Sequence, residues 1–341
     1  MDVPSSFFNM NTLNTREERL ARAMASLEGL SVGDAFGEQF FMSWEGAKVW
    51  IDSGELEGPP FDLSEEFIAR RIALRKLPPT NFWNWTDDSA MAFSVVKNLR
   101  EYGTINPDEM AISFGQSYQS EPARGYGGAM YELLPQLARG ESWRAASQSL
   151  FNGTGSYGNG ASMRVAPIGA YFADDLRAVI ENARRSALVT HSHPEAIAGA
   201  IAVAVAAALA CRQRTSSTRT SAQSEPRDFI STVLEYVPQS EVRIRLIQAR
   251  DLAEDDADCE TAVSLLGCGE NISAHDTVPF CIWCAATELD HFDEALWLTV
   301  EGLGDRDTTC AIVGGIVACY TGADAIPVEW RTRREALPNW F

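Results

Sequence analysis

Histidine is scarce in this chain, with four residues among 341. That scarcity argues against the histidine-rich centres that zinc and copper favour. Basic side chains are outnumbered as well: 28 Lys and Arg face 47 Asp and Glu, a formal charge of −19. A surface that follows a nucleic-acid backbone needs a basic patch, so nucleic acid is not an expected partner. A small anion held by backbone amides or by one arginine stays open. The N-terminal stretch "MDVPSSFFNMNTLNTREERL" has no basic segment leading into an apolar one and does not read as a signal peptide. The most apolar run, Ala196 to Cys211, is sixteen residues long. Spanning a bilayer takes roughly 20, and these small side chains suit a helix buried on all sides. No membrane is expected. Seven cysteines, odd in number and scattered through apolar runs, make no disulfide framework and point to a reducing, cytoplasmic setting. Cys281 and Cys284 in "CIWC" have C-x-x-C spacing, but no second pair accompanies them. They read as buried helix residues rather than a zinc or redox pair.

What the chain has in abundance is helical periodicity; good strand candidates are few. "REERLARAMASLEGLSVGDAFG", "DSAMAFSVVKNLREYG", "DDLRAVIENARRSALVT", the Ala/Val run, "ISTVLEYV" and "TTCAIVGGIVACY" all read as helices. "SEVRIRLIQARDLAEDD" has a strand-like start, but its continuation favours helix. Gly103 is a plausible helix stop. Glycine-rich loops separate these segments at 124–130 and 151–163. The Ser/Thr/Arg-rich stretch at about 212–227 lacks apolar anchors and reads as a mobile surface loop. Motifs lie on both sides of it, so a single domain over 1–341, with a core at about 18–325, is preferred to two. No internal repeat is evident.

Five stretches carry chemistry. In "GLSVGDAFG", Gly29, Gly33 and Gly37 recur every four residues and form a smooth helical stripe for close backbone approach. Asp34 beside them either hydrogen-bonds behind a site or is simply polar near a helix end. In "NWTDDSAM", Thr86, Asp87 and Asp88 stand at the mouth of an apolar helix. One hydroxyl or carboxylate caps such a mouth, but two adjacent carboxylates exceed that need and repel unless something intervenes. "GDRDTT" repeats the grammar: Asp305 and Asp307, then Thr308 and Thr309, then an apolar helix. If the two mouths converge, four carboxylates match the charge of two divalent cations, and Thr86 and Thr308 add neutral oxygens. Hard Mg²⁺ suits that oxygen set. "GSYGNGASMRVAPIG" is neither a Walker loop nor a Rossmann fingerprint. Its glycines admit close approach, and Arg164 could meet a phosphate or lock a carboxylate. "THSHPEA" brings His191 and His193 to a helix start, as a catalytic base or as loop organisers.

In order, "GDAFG", "WTDDSAM", "GNGASMRVAPIG", "THSHP" and "GDRDTTCAIVGG" resemble the motifs of the ADP-ribosylglycohydrolase family, which includes the dinitrogenase-reductase-activating glycohydrolases. "GCGENISAHDTVPFCIW" resembles the family's segment before the last motif. The resemblance spans roughly residues 20 to 322. Single motifs are weak; the ordered set is specific.

The resemblance implies a compact orthogonal all-α bundle with a dinuclear site holding two Mg²⁺, with Mn²⁺ a substitute. The implied ligands are Thr86, Asp87, Asp88, Asp305, Asp307 and Thr308. Asp87, Asp88 and Asp305 would also assist proton transfer while the bond between ADP-ribose C1″ and an acceptor side chain is cleaved. Gly125, Tyr126, Gly127, Gly155, Ser156, Tyr157, Gly158, Asn159 and Gly160 would cradle the substrate, with Met163 and His191 beside them. Tyr126 and Tyr157 either lie against adenine or ribose or pack the loop. The implied substrate is an ADP-ribosylated protein, arginine-linked by preference, with serine-linked or small-molecule-linked ADP-ribose as the alternative. A monomer is expected. A non-catalytic member, as among the lens crystallins related to this family, is the competing reading. Two departures from the family pattern stand out. Arg306 lies between the paired aspartates where a small residue is frequent. Phe41 stands where many members carry glutamate, the nearest acids being Glu38 and Glu45.

Overall fold

A computed structural model describes residues 15–41, 65–77, 80–215 and 225–339. Among them there are helices and two isolated bridges, but no strands. The helices are α1 (Arg16–Glu38), α2 (Glu65–Ala73), α3 (Asp87–Tyr102), α4 (Pro107–Ser120), α5 (Met130–Ala138) and α6 (Trp143–Gly153). Next come α7 (Ala166–Tyr171), α8 (Leu176–Leu188), α9 (Pro194–Thr215), α10 (Pro226–Leu234) and α11 (Glu241–Glu254). The chain closes with α12 (Cys259–Leu266), α13 (Ala274–Thr287), α14 (Phe292–Glu301), α15 (Arg306–Thr321) and α16 (Val328–Arg333). The all-α expectation holds, and the ambiguous "SEVRIRLIQ" stretch is the start of α11. Much of the Ser/Thr/Arg-rich segment, residues 216–224, lies outside the described residues, as does Glu45.

Local signals explain the boundaries. Thr15 caps α1 in a capping box with Glu18. Gly103, at φ +70°, ends α3 in the left-handed conformation that glycine adopts without strain. α9 is longer than its apolar run because Pro194 starts it and Arg212 to Thr215 end it. By length and composition it could cross a membrane, yet 83% of its most apolar window is buried inside the protein. Cys281 and Cys284 are fully buried on α13, and burial pushes both thiols well above their ordinary range. This is the core role expected of "CIWC".

The axis of the fold is the pairing of α1 with α15, its most extensive helix contact. Here the glycine stripe does what its spacing suggests. A Cβ on Gly29 would lie 2.3 Å from the Gly314 carbonyl oxygen. On Gly33 it would lie 2.1 Å from that of Cys310, and on Gly37 2.1 Å from that of Arg306. Three matched steps along two antiparallel helices allow only hydrogen at this seam. Gly33→Ala is therefore expected to destabilise by at least the ~1–3 kcal/mol typical of overpacking, read as a lower thermal midpoint. A midpoint unchanged from wild type would show that the helices separate freely.

That seam carries Asp34 of α1 to the mouth of α15. α3 packs against α1 on another side and brings its own mouth to the same place. The chain beyond α15 returns to this region: Trp330 stacks on Phe36 with ring centroids 4.6 Å apart. Trp83 then hydrogen-bonds through its N–H and C=O to Arg333 and Glu335, each at 2.8 Å.

Candidate active site

The two acidic helix mouths do converge. Thr86 is the N-cap of α3, and its hydroxyl accepts the Asp88 N–H, so the capping reading of "NWTDD" is correct. The carboxylates of Asp87 and Asp88 then occupy the first turn, where the helix dipole favours negative charge. Asp305 is the N-cap of α15, but its side chain makes no capping bond. Its Oδ2 instead accepts the Asn159 side-chain N–H at 2.6 Å. Thr308 Oγ1 reaches Asp88 Oδ2 at 3.3 Å, joining the two mouths.

Asp34 proves more central than its motif suggested. Its carboxylate accepts from the Thr86 N–H at 2.9 Å and Thr86 Oγ1 at 2.9 Å, and also from the Ser89 N–H at 3.1 Å and Ser89 Oγ at 2.5 Å. It thus caps α3 from another helix while facing the cluster. One oxygen each from Asp34, Asp88 and Asp307 lies within 4.8 Å of the others. Composition cannot place Asp34 there; the close glycine seam does.

The electrostatics show five carboxyls that cannot all ionise unaided. Burial, then the Asp307 charge, pushes Asp34 up to about 7 despite its four donors. Burial and neighbouring acids raise Asp87, Asp88 and Asp305 well above the carboxylate range, and burial raises Asp307. Thr86 Oγ1 stands within hydrogen-bond distance of both Asp34 and Asp88, yet has one proton to give. Asp88 Oδ1 and Asp307 Oδ1 are buried with no hydrogen-bond partner. Leaving such atoms bare is costly. An all-oxygen set with bare inward lone pairs and excess negative charge fits hard divalent cations.

The cluster borders a cavity of about 300 Å³. Asp87, Asp305, Asp307 and Thr308 stand on its wall. Gly125 and Gly127 line it from one loop; Ser156, Tyr157, Gly158, Asn159 and Gly160 line it from another, with Met163 and His191 behind. Two residues of the expected set stand elsewhere. Tyr126 is 3% exposed and packs edge-on against Tyr118, so it holds the loop rather than facing the cavity. Gly155 (φ +75°) makes the turn behind the loop, against Ser192. Tyr157 does face the cavity, half exposed. Beside it stands Phe151, which the sequence did not single out. α6 loses helical geometry at Leu150, and Phe151 takes a left-handed φ of +52°, uncommon for an aromatic residue. That distortion leaves its ring exposed, 6.0 Å from Tyr157.

The hydrogen-bond partners of Arg164 include no carboxylate. Fully buried, it donates to the carbonyls of Gly160 and Ser186 at 2.9 Å and to Thr190 Oγ1 at 2.8 Å. It therefore fixes the glycine loop from behind. His191, buried beside Arg164, is held down at about 3 by desolvation and that cation, and so is neutral. Its ring packs where a Cβ on Gly160 would lie, 2.9 Å from Cε1. A loop-organising histidine accounts for both facts.

Both family departures resolve in one contact. Arg306 points away from the cluster, donating to the Phe40 carbonyl at 2.9 Å and Glu65 at 3.2 Å, with its guanidinium 4.8 Å from the Phe41 ring. The acid on the cluster side is Glu38, raised to about 8 by burial and by Asp307 and Asp34. Glu38 lines a second cleft of about 550 Å³ with Thr86, Trp85, Glu121 and Arg124. Asp307 and Gly125 border both spaces.

These features define a class: an all-helical protein in which two acidic helix mouths build an oxygen-ligand centre on a small-molecule cavity. Its family follows from comparison with known proteins. The ADP-ribosylglycohydrolase profile matches residues 15–340, and the chain belongs to that family. It is 29% identical to ADP-ribosylhydrolase ARH3 of Xenopus tropicalis, over 75% of this chain and 78% of that one. It is 23% identical to ADP-ribosylarginine hydrolase Tri1 of Serratia proteamaculans strain 568, over 92% and 75%. A solved structure titled ADP-ribosylglycohydrolase-related protein complex shares the fold, with a TM-score of 0.55 at 24% identity over 92% of each chain. The protein is a glycosyl-bond hydrolase of a family that acts on ADP-ribosylated substrates.

Proposed function

We propose that the protein is a Mg²⁺-dependent hydrolase that releases ADP-ribose from arginine side chains, with Mn²⁺ able to substitute. The observation that carries this reading is the pair of bare, buried oxygens, Asp88 Oδ1 and Asp307 Oδ1, inside a ring of carboxyls beside the cavity. Asp34, Asp87, Asp88, Asp305 and Asp307, with Thr86 and Thr308, would hold two cations. Bound there, the cations would polarise ribose hydroxyls and acidify a water.

The chain's own groups do the rest. At Gly127 a Cβ would meet nothing within 4 Å, so the backbone there is open to a pyrophosphate, while Gly158 and Gly160 make room for the His191 ring behind their loop. Tyr157 and Phe151 offer faces to the adenine or a ribose. Asn159 orients Asp305 through Oδ2, and Asp305 would take a proton from the attacking water. His191 keeps its loop in place, its ring packed against Gly160.

Arginine is favoured by the second cleft, where the acceptor would lie. Glu38 and Asp307 line it, while its Glu121 and Arg124 pair with each other and Arg124 also with Glu335. An acidic lining suits a guanidinium. Likeness to a protein named as an arginine hydrolase supports the same choice, and the free thiols fit a cytoplasmic setting. A panel of peptides carrying ADP-ribose on arginine or on serine, assayed with Mg²⁺, with Mn²⁺ and with EDTA, tests both parts. Release from arginine that EDTA abolishes is expected. Release confined to serine would overturn the acceptor, and release indifferent to EDTA would overturn the metal dependence.

A further inference from the structure

The C-terminal segment is laced to the site through one side chain. Glu335 grips Arg124 with both oxygens, at 2.7 and 2.8 Å. Arg124 also donates to the Trp85 carbonyl at 3.0 Å and to Glu121 at 2.6 Å, and its guanidinium lies 3.5 Å from the Trp85 ring centroid. A planar guanidinium satisfied on its edge and stacked on its face has little freedom left. The backbone of Arg124 serves the cluster directly. Its carbonyl accepts the Asp87 N–H at 2.7 Å, one of the first-turn donors that α3 itself leaves unpaired. The next residue, Gly125 (φ +89°), borders both the cavity and the second cleft, and a Cβ there would stand 3.7 Å from Asp87 Oδ1.

Glu335 is the stronger half of this clamp. Its side chain is 22% exposed against 47% for Glu121, and it is bidentate where Glu121 is not. It is held in turn by the Trp83 carbonyl, which accepts its N–H just upstream of "TDD". Without it, Arg124 retains only the more solvated partner, and the turn that seats Asp87 and Gly125 is free to shift.

We propose that Glu335 is a positioning residue for hydrolysis: through Arg124 it sets where the Asp87 carboxylate and the Gly125 turn stand. This inference rests on the hydrolase reading of the acidic cluster. A partner that orients a ligand commonly commands 10–100-fold in metal affinity or activity, so a loss of about that size is expected here.

The test uses the full chain with Glu335→Ala, Glu335→Gln and, as a control, Glu329→Ala, whose pairing with Arg333 lies on the solvent side of the same segment. Each variant is assayed where circular dichroism shows it fully folded. The readouts are kcat, KM, Mn²⁺ affinity by electron paramagnetic resonance and ADP-ribose affinity by calorimetry. Glu335→Ala should lose about 10–100-fold in kcat/KM and weaken Mn²⁺ binding. Glu335→Gln, keeping the shape and one acceptor, should fall between it and wild type, and Glu329→Ala should match wild type. Folded Glu335→Ala with wild-type kcat/KM and Mn²⁺ affinity overturns the proposal, as does a loss that only tracks the folded fraction. Should Glu335→Ala fail to fold, Glu335→Gln decides by the same readouts. If wild type releases ADP-ribose from no linkage, the hydrolase reading fails by itself, while the Mn²⁺ and ADP-ribose affinities still decide the clamp.

Discussion

Asp88→Asn and Asp307→Asn are each expected to abolish most hydrolysis while making the metal-free protein more stable. The two effects share one cause. Both residues carry a buried oxygen with no donor and stand among carboxyls that push one another's protonation upward. Replacing either with the isosteric amide removes a charge from that crowd and supplies N–H donors to it, so the folded state gains. For a chain of 341 residues, each kcal/mol of repulsion relieved should raise the midpoint by roughly 1–2 °C. Activity moves the other way, because the same charge is what a cation needs. Partners that merely orient a ligand are worth about 10–100-fold, so loss of a ligand itself should exceed about a hundredfold in kcat/KM. Mn²⁺ titration and thermal melts in EDTA read the two arms separately. A variant that keeps wild-type Mn²⁺ affinity would remove that carboxylate from the site.

The second large effect is a pH dependence that divalent cations reverse. Asp34 lies at about 7 and Glu38 at about 8 in the folded protein, against 3.8 and 4.5 ordinarily. Across that window the folded state holds protons that the unfolded chain has lost. Stability from these groups is therefore complete below about pH 4 and disappears as pH rises through 7 to 8. In EDTA, the midpoint should fall between pH 5.5 and 8. A cation bound to the carboxylates lowers their affinity for protons and removes the penalty. At a free concentration of 100 Kd it contributes ~2.7 kcal/mol per site. The gain from Mg²⁺ or Mn²⁺ should accordingly be larger at pH 8 than at pH 5.5, with protons released on binding. Equal gains at both pH values would show that the carboxyls are already ionised without metal.

Both expectations depend on a site that was only partly legible in the sequence. "TDD" and "RDTT" announced themselves because paired acids at an apolar helix start exceed the needs of a cap, and the repetition of that grammar implied convergence. Gly29, Gly33 and Gly37 likewise declared a close helix seam by their spacing. Tyr126 stayed open between ligand contact and loop packing, because a ring beside glycines reads the same whether it faces the cavity or the core. Phe151 gave no signal, since its exposure comes from a local break in α6. Glu335 lay beyond the resembling stretch and looked like any surface acid.

The sequence by itself determined the all-helical class, the oxygen character of the site and the chain segments that build it, because periodicity, residue chemistry and local caps are properties of neighbours along the chain. The tertiary structure decided what distance in sequence conceals. It placed Asp34 in the cluster, turned Arg306 outward, kept His191 neutral behind its loop and tied Glu335 to Asp87 through Arg124. Each of those outcomes is set by burial and by contacts between residues far apart in the chain, and these exist only once α1 has closed on α15.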